Sequence, residues 1–399
     1  MYRILLLTLL AAPAAQAETL RLPSPAASES LGPSLTVDAG GQVLLSWLQR
    51  DAGGHALRFS RLQGDTFSAP ITIASGSDWF VNWADFPAIG ALPSGALLAH
   101  WLQKSGPGRY AYDVLVSRSD DGGATWSDPL TPHRDGTETE HGFVSHFAWS
   151  EDLAGLVWLD GRETDAGAGH DHHGHGGVMS LRGAALAADG SLSREALLDP
   201  QVCDCCQTGA ALATKGPVVV YRGRDAGEVR DIMIVRWTGT AWSAPTPVHR
   251  DGWVMPACPV NGPQVVARGD DVVVAWFTMA DGHARVLIAR SLDGGACFAP
   301  PRLVADGGVL GRVGLAQAAD GRRWLAWMDE AEGDARLLLA RFDADLEERD
   351  RQVVARLPRG RISGFPRLVH SAADGLVIAW TEAPTGRPQV VVARVATDL

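Results

Sequence analysis

Residues 272–279 read VVVAWFTM, an apolar segment built around one tryptophan, and similar segments recur along the 399-residue chain. The other six are LLSWLQR around Trp47, LLAHWLQK around Trp101, GLVWLDGR around Trp158, VVVYRGR around Tyr221, WLAWMDE around Trp327 and LVIAWTE around Trp380. A spacing of about 50 to 60 residues is typical of propellers and other repeat architectures. The sequence therefore predicts seven repeating units whose aromatic side chains pack between neighbouring units.

Each repeat has the pattern of a four-stranded antiparallel blade of a β-propeller. In one repeat, PQVVARGDD supplies the first strand, VVVAWFTM the second, VLIARS the third and PPRLVA the fourth. The last repeat ends after three strands, whereas residues 18–25, ETLRLPSP, supply an additional strand before the first repeat. This strand can complete the last blade and close the ring, which removes an exposed sheet edge.

We therefore predict an all-β fold, a single seven-bladed β-propeller domain over residues 18–399. The predicted blades begin near residues 33, 86, 145, 209, 262, 313 and 365. Residues 1–17, MYRILLLTLLAAPAAQA, have the basic start, apolar run and Ala-Gln-Ala end of a signal peptide. We expect export to the periplasm or the cell exterior, where disulfides can form.

The composition disfavours two classes of partner. A formal net charge of -11 argues against nucleic acid, because its recognition needs a basic surface. The same charge argues against electrostatic binding to an anionic membrane. No segment after residue 17 approaches the roughly 20 apolar residues of a transmembrane helix.

Two turns between predicted third and fourth strands follow the pattern S-x-D-x-G-x-T-W/F. They read SDDGGATW and SLDGGACF, and the matching residues are Ser119, Asp121, Gly123 and Trp126 in the first and Ser291, Asp293, Gly295 and Phe298 in the second. In such a turn the carboxylate accepts backbone amides and glycine supplies a positive φ. The pattern is the Asp box, and the chain resembles the sialidase-like propellers, also called BNR-repeat proteins, that carry it.

The resemblance implies a propeller fold and, in active sialidases, six blades, three arginines that hold a substrate carboxylate, a Tyr–Glu nucleophile pair and an aspartic acid. The six-bladed fold is therefore the alternative to seven blades. Asp boxes are structural and do not identify a reaction. The segments CDCCQT, YRGRDAGEVRD and ACPVNGP resemble those of a group of exported bacterial sialidase-like proteins.

Residues whose side chains could bind a ligand are predicted to gather on one face of the propeller. In an up-and-down blade, the loops between strands two and three lie on the same face as the connections between blades. We predict a ligand site there from residues in these loops and connections: Trp83, Asp85, His141, Arg222, Arg312 and Arg361.

Four of the five cysteines fall on the same predicted face. Cys203, Cys205 and Cys206 precede the fourth blade, and Cys258 precedes the fifth, so we expect the four thiols to meet near the axis. One interpretation is a disulfide between Cys258 and one of the other three. The other is a metal site, because soft sulfur ligands select Cu(I) or Zn. Both can coexist.

A histidine tract extends the metal hypothesis. The loop GHDHHGHGG contains His170, His172, His173 and His175. Such tracts favour copper, nickel or zinc, although a solvated variable loop has the same composition. Thiolate and imidazole ligands together in an exported protein favour copper, with zinc as the close alternative.

These observations give three functional hypotheses. The first is an exported propeller that binds copper or zinc through the cysteines and the histidine tract. The second is a glycoside hydrolase that acts on acidic sugars, with Arg222, Arg312 and Arg361 as a carboxylate clamp. The third is a scaffold that presents one face to a protein partner.

Overall fold

The computed structural model describes residues 19–164, 177–331 and 333–396. Its sheets form a seven-bladed β-propeller, which confirms the predicted fold class and its seven blades. Among the described residues the helical element is one 3-10 turn, Ala280–Gly282. The predicted signal peptide and the histidine tract lie outside the described residues.

Strand β1 (Thr19–Leu22) precedes the first blade. Blade 1 contains β2 (Ser30–Val37), β3 (Val43–Asp51), β4 (Gly54–Gln63), β5 (Thr66–Phe67) and β6 (Ile71–Gly76). Blade 2 contains β7 (Ala88–Ala91), β8 (Leu97–Lys104) and β9 (Tyr112–Ser119). Blade 3 contains β10 (His141–Ala148), β11 (Ala154–Thr164), β12 (Gly177–Leu186) and β13 (Leu192–Val202).

The remaining blades each have three or four strands in chain order. Blade 4 contains β14 (Gly209–Ala213), β15 (Gly216–Arg222), β16 (Ile232–Arg236) and β17 (Thr246–Pro247). Blade 5 contains β18 (Gln264–Arg268), β19 (Asp271–Thr278), β20 (Arg285–Ser291) and β21 (Arg302–Asp306). Blade 6 contains β22 (Val309–Gln317), β23 (Arg323–Ala331), β24 (Asp334–Phe342) and β25 (Glu348–Leu357). Blade 7 contains β26 (Gly364–Ser371), β27 (Gly375–Glu382) and β28 (Gln389–Val395).

The N-terminal strand closes the ring as predicted. Strand β1 pairs antiparallel with β28, from Thr19 opposite Val395 to Leu22 opposite Val392. The first strands of successive blades contact one another all the way around, and β26 of the last blade contacts β2 of the first. Every blade therefore packs against a neighbour on each side.

The repeated aromatic residues form the contacts between blades. Trp276 on β19 packs against Val218 and Val220 on the preceding blade, and Trp327 on β23 packs in turn against Val273. Both indoles are completely buried. Because each inner strand is covered on both faces, its sequence is continuously apolar rather than alternating. Replacing such an aromatic residue with alanine typically lowers the free energy of unfolding by about 3–5 kcal/mol.

Blade 2 departs from the predicted four strands. Its sheet has three, and Leu130 forms only an isolated bridge with Val116. Proline has no N–H to donate to a ladder, and Pro129 and Pro132 flank this bridge. The chain then leaves the sheet as a loop that carries His133 toward the first strand of blade 3.

Both Asp boxes form the expected turns. In the first, the Asp121 carboxylate accepts the Thr125 N–H at 2.9 Å and the Ser119 hydroxyl at 2.8 Å. The Thr125 hydroxyl and amide, together with Ser119, lower the pKa of Asp121 to about 2. In the second turn Asp293 accepts the Cys297 N–H at 2.9 Å. Cys297, which stands at the threonine position of this second Asp box, is exposed.

No helix among the described ranges has the length and apolar character needed to cross a membrane.

Candidate functional site

The segment between blades 3 and 4 brings three thiols together. The Cys203 N–H donates to the carbonyl of Arg222 at 3.0 Å, and this bond ties the segment to the end of β15. The Cys203 sulfur lies 3.6 Å from the Cys206 sulfur and 3.9 Å from the Cys205 sulfur. All three side chains are buried and pack with the apolar core between these blades.

The fourth thiol comes from the connection between blades 4 and 5. The Cys205 sulfur, the Cys258 sulfur and a carboxylate oxygen of Asp204 all lie within 4.8 Å of one another. Cys258 and Asp204 are partly exposed, whereas the other three thiols are covered. We call Cys203, Cys205, Cys206 and Cys258 the thiol cluster. Its solvent-facing side is the side of Cys258 and Asp204.

The spacing within the thiol cluster is that of metal ligands rather than of bonded sulfurs. A disulfide requires an S–S distance of about 2.05 Å, and all five cysteines are free thiols. The structure therefore does not support the disulfide interpretation. Four sulfurs at about 2.3 Å from a tetrahedral ion would be separated by about 3.8 Å. The two measured distances, 3.6 and 3.9 Å, lie on either side of that value.

The environment favours one thiolate within the cluster. Burial raises the pKa of Cys203 to about 12 and raises that of Cys205 well above the ordinary thiol value. Burial also opposes ionisation of Cys206, but hydrogen bonds from the two other thiols and the charge of Arg222 lower its pKa well below the ordinary value. The Asn261 N–H donates to the Cys206 sulfur at 3.4 Å.

A polar loop borders the thiol cluster. Arg230 pairs with Asp204 at 3.4 Å and with Glu228 at 2.7 Å, and Arg224 pairs with the same Glu228 at 2.7 Å. The charges of this loop thus pair with one another and with Asp204. Met255, three residues before Cys258, packs with the core between blades 5 and 6.

Arg222 has a structural role and is not part of a ligand clamp. Its side chain is only 1% exposed. The guanidinium donates to the carbonyls of Asn261 at 2.7 Å, Arg230 at 2.6 Å and Phe277 at 2.8 Å. It also lies over the Trp253 ring at 4.8 Å. These bonds consume its donors, because a guanidinium has five N–H groups in a fixed fork.

Arg312 and Trp83 do come together, from blades 6 and 2. The Arg312 guanidinium lies 5.6 Å from the Trp83 ring centre and 4.8 Å from that of Phe365. It donates to the carbonyls of Ser363 and Gly360 and has no carboxylate partner among the described residues. Burial lowers its pKa to about 10. The adjacent Arg361, also predicted for the clamp, is exposed.

Asp85 belongs to a buried hydrogen-bonded group that the sequence did not reveal. The Tyr112 hydroxyl lies 3.1 Å from Asp85 and 2.8 Å from Glu140. The Phe143 N–H donates to the other Asp85 oxygen at 2.9 Å. Burial, assisted by the charge of Glu140, raises the pKa of Asp85 to about 7.

His141 is buried away from the predicted ligand site. Its ring is 0% exposed and stacks on the His133 ring, with centres 3.8 Å apart and planes 3° apart. Asp135 lies 3.3 Å from one ring nitrogen, and Asp113 lies 3.6 Å from the other. Burial opposes protonation, yet these carboxylates and Asp160 raise the pKa of His141.

This histidine pair belongs to a network of charged side chains, and the ligand atoms of Asp135, His141 and Asp160 all lie within 4.8 Å of one another. The Val114 N–H donates to His133 Nε2 at 3.2 Å, which occupies that lone pair. Arg162 already binds Asp135 at 3.0 Å and Asp160 at 2.7 Å. Ring nitrogens donate in the ring plane, so two parallel stacked rings cannot direct their lone pairs at one ion.

The comparisons with known proteins support the fold alone. No protein-family profile matches the chain, and no curated protein sequence matches it. The chain is similar in structure to a protein of unknown function from Dyadobacter fermentans, with 14% identity, 96% of this chain and 99% of that chain covered, and a TM-score of 0.56. It is also similar to the BP39L lectin from Burkholderia pseudomallei, with 12% identity, 93% and 97% covered, and a TM-score of 0.60.

A looser similarity links the chain to a sialidase. For the NanB sialidase from Streptococcus pneumoniae the identity is 13%, 94% of this chain and 69% of that chain are covered, and the TM-score is 0.46. The class that the fold and the comparisons define is a β-propeller. Function must therefore be argued from the site.

Proposed function

We propose that the protein binds a thiophilic metal ion, copper or zinc, through Cys203, Cys205, Cys206 and Cys258. The observation that carries this proposal is the meeting of three free thiols, Cys203, Cys205 and Cys206, whose sulfurs all lie within 4.8 Å of one another, with the Cys258 sulfur within 4.8 Å of that of Cys205. Soft thiolates bind Cu(I) and Zn, whereas hard cations prefer oxygen. The nearby Asp204 carboxylate offers an oxygen ligand on the solvent side.

The surroundings of the thiol cluster suit a bound ion. A ligated thiolate needs neighbours that fix its orientation and balance its charge. Here the Asn261 amide points at Cys206, while Arg222 and Arg230 lie close enough to influence the thiols electrostatically. Arg222, which donates to neutral carbonyls, can compensate part of the excess negative charge of thiolates around one ion, whereas Arg230 already pairs with Asp204 and Glu228.

Metal analysis of variants tests the proposal. The protein is purified under reducing conditions, loaded with Cu(I) or Zn²⁺, desalted and analysed for metal and accessible thiols. We expect about one ion per chain and protection of the clustered thiols in the loaded protein. Cys206→Ser should abolish stoichiometric binding. Cys297→Ser is the matched control, because this exposed thiol lies in an Asp box outside the cluster.

Two results would contradict metal binding at this site. One is the absence of bound copper or zinc in the wild-type protein after loading. The other is an unchanged metal content in both Cys205→Ser and Cys206→Ser. Competition between the two metals at equal free concentration then identifies the preferred ion.

The histidine tract is part of the same proposal. We expect His170, His172, His173 and His175 to increase metal capture from dilute solution, because imidazoles bind the same ions. Replacing all four with alanine should slow loading and leave the final stoichiometry unchanged. A loss of the bound ion itself would mean that the tract, rather than the thiol cluster, holds it.

Acidic-sugar binding or hydrolysis is the second candidate function, and Arg312 favours it. A guanidinium without a carboxylate partner beside an indole is suited to hold a carboxylate and stack a sugar ring. The test measures release from a fluorogenic sialoside and binding of acidic glycans. Arg312→Gln should abolish either signal, with Arg302→Gln as an exposed control. If neither metal nor glycan binds, the protein-scaffold hypothesis is the one that survives.

A further inference from the structure

A cavity of about 230 Å³ lies at the centre of the propeller. The innermost strands of most blades line it, and the lining residues with polar side chains include Ser34, Asp85, Ser145, His146, Gln264 and Arg367. The volume corresponds to several water molecules at about 30 Å³ each. The cavity is separate from the thiol cluster, since none of the four cysteines lines it.

Arg367 is an uncompensated cation in the wall of this cavity. Its guanidinium makes no hydrogen bond or ion pair with any described residue, and its Nε is buried without an acceptor. One face of the side chain is covered by the Phe86 ring, whose centre is 5.4 Å away. Burial lowers the pKa of Arg367 to about 10, so the group stays charged at neutral pH.

The neighbouring groups do not neutralise Arg367. Asp85 is the one carboxyl among the lining residues, and both its oxygens already accept hydrogen bonds inside the wall. Its pKa of about 7 leaves much of it uncharged near neutrality. A charge that is partly removed from water and has no partner is unfavourable, so a counter-ion from solution would stabilise the folded protein.

The histidines beside Arg367 cannot supply that counter-ion. His100 Nδ1 lies 2.8 Å from His146 Nε2, and His100 Nε2 lies 3.0 Å from the Phe86 carbonyl. The carbonyl requires a proton on His100 Nε2, so in a neutral pair His146 donates to His100. Burial lowers the pKa of His146 to about 4 and that of His100 well below its ordinary value, where the charges of His146 and Arg367 also contribute.

We propose that the central cavity binds a small oxyanion, such as a simple carboxylate or sulfate, with the Arg367 guanidinium as its principal donor. The planar fork of five N–H groups matches two oxygens of such an anion. Hydroxyl and amide groups of Ser34, Ser145 and Gln264 line the same space. The cavity volume of about 230 Å³ is sufficient for such a small anion and its hydrating waters. This site is independent of the proposed metal site and of Arg312, which does not line the cavity.

Calorimetric titration tests the anion site. Sodium acetate and sodium sulfate are titrated separately into the protein in a buffer whose other anions are too bulky for the cavity. We expect saturable binding of about one anion per chain, weakened by about 10- to 100-fold in Arg367→Gln. Arg367→Lys, which keeps the charge but loses the fork, should bind with intermediate affinity.

A surface arginine provides the matched control. Arg109 is exposed and lies over the Tyr110 ring at 5.5 Å, so Arg109→Gln removes a similar cation–aromatic contact outside the cavity. Its anion affinity should equal that of the wild type, as should that of Cys206→Ser. No saturable binding of either anion to the wild type would overturn the inference, and so would equal affinity in folded Arg367→Gln.

A stability measurement separates a binding defect from a folding defect. Without added anion, Arg367→Gln should be at least as heat-stable as the wild type, because the variant removes an unpaired and partly buried charge. Adding sulfate should raise the melting temperature of the wild type progressively and that of the variant much less. Equal sulfate-induced shifts in both proteins would assign the effect to salt in general and refute the site.

Discussion

Replacing Asp85 with asparagine should change how the stability of this propeller depends on pH. The Asp85 carboxyl is 1% exposed, and burial raises its pKa from 3.8 to about 7 in the folded protein. Between these values the folded protein holds a proton that the unfolded chain has released. The stabilising contribution is therefore fully present below about pH 4 and is lost as the pH rises through about 7.

The size of the effect follows from the pKa difference. Each pKa unit corresponds to about 1.4 kcal/mol, so a rise from 3.8 to about 7 amounts to about 4 kcal/mol at most. The asparagine side chain has no proton to lose, and its oxygen can still accept the Phe143 N–H. The stability of the wild type relative to Asp85→Asn should therefore fall by up to about 4 kcal/mol between about pH 4 and about pH 8.

The assay is urea unfolding of both proteins across this pH range, followed by tryptophan fluorescence. His146 and His133, whose pKa values burial lowers to about 4 and about 3, act in the opposite direction and destabilise the fold as the pH falls. Both histidines are present in both proteins, so their contributions cancel in the difference. A difference that stays constant across the range would refute the assignment of a protonated Asp85.

Further predictions concern the framework, each checked by thermal and urea unfolding. Arg222→Met should lower the free energy of unfolding by about 3–5 kcal/mol, because three buried carbonyls lose their donor. Arg224→Met should lower it by less than about 1 kcal/mol. Equal losses in the two variants would contradict a structural role for Arg222. Gly123→Ala should destabilise the first Asp box, since φ is 90° and the new Cβ would lie 2.4 Å from Phe59. Trp276→Ala should cost about 3–5 kcal/mol, and a smaller loss would question its packing role. Deleting Thr19–Leu22 should lower the melting temperature and cause self-association in size-exclusion chromatography, because β28 becomes an exposed edge; a stable monomer would count against closure by β1.

The repeat period carried most of the information about the fold. Seven aromatic strands and an extra N-terminal strand were enough to predict blade number and ring closure. The same equivalence between repeats predicted that Cys258 would approach the other cysteines, because both segments lead into neighbouring blades. In blade 2 the prediction of a fourth strand failed, since Pro129 and Pro132 limit its pairing to one bridge.

The sequence could not show which arginines have a structural role and which line a site. Arg222 stands in a charged run typical of a surface loop, yet its acceptors at Asn261 and Phe277 are supplied by the next blade and lie far along the chain. Arg367 alternates with apolar residues as on a half-solvated strand, but the exposed side of an innermost strand faces the central cavity. An arginine on the protein surface and one beside the central cavity have the same sequence pattern. They can be told apart only once the closed ring is known.

The pairing of Thr19 with Val395 also constrains how the molecule can be made. Strand β1 has to wait for β28, so it cannot reach its native pairing until that strand has been synthesised. The entropic cost of joining such distant ends grows only logarithmically with their separation. Because β1 and β28 lie side by side, the ring should tolerate circular permutation. With new termini in a loop between blades, the two strands would be joined as a local hairpin and their pairing would no longer be a late step.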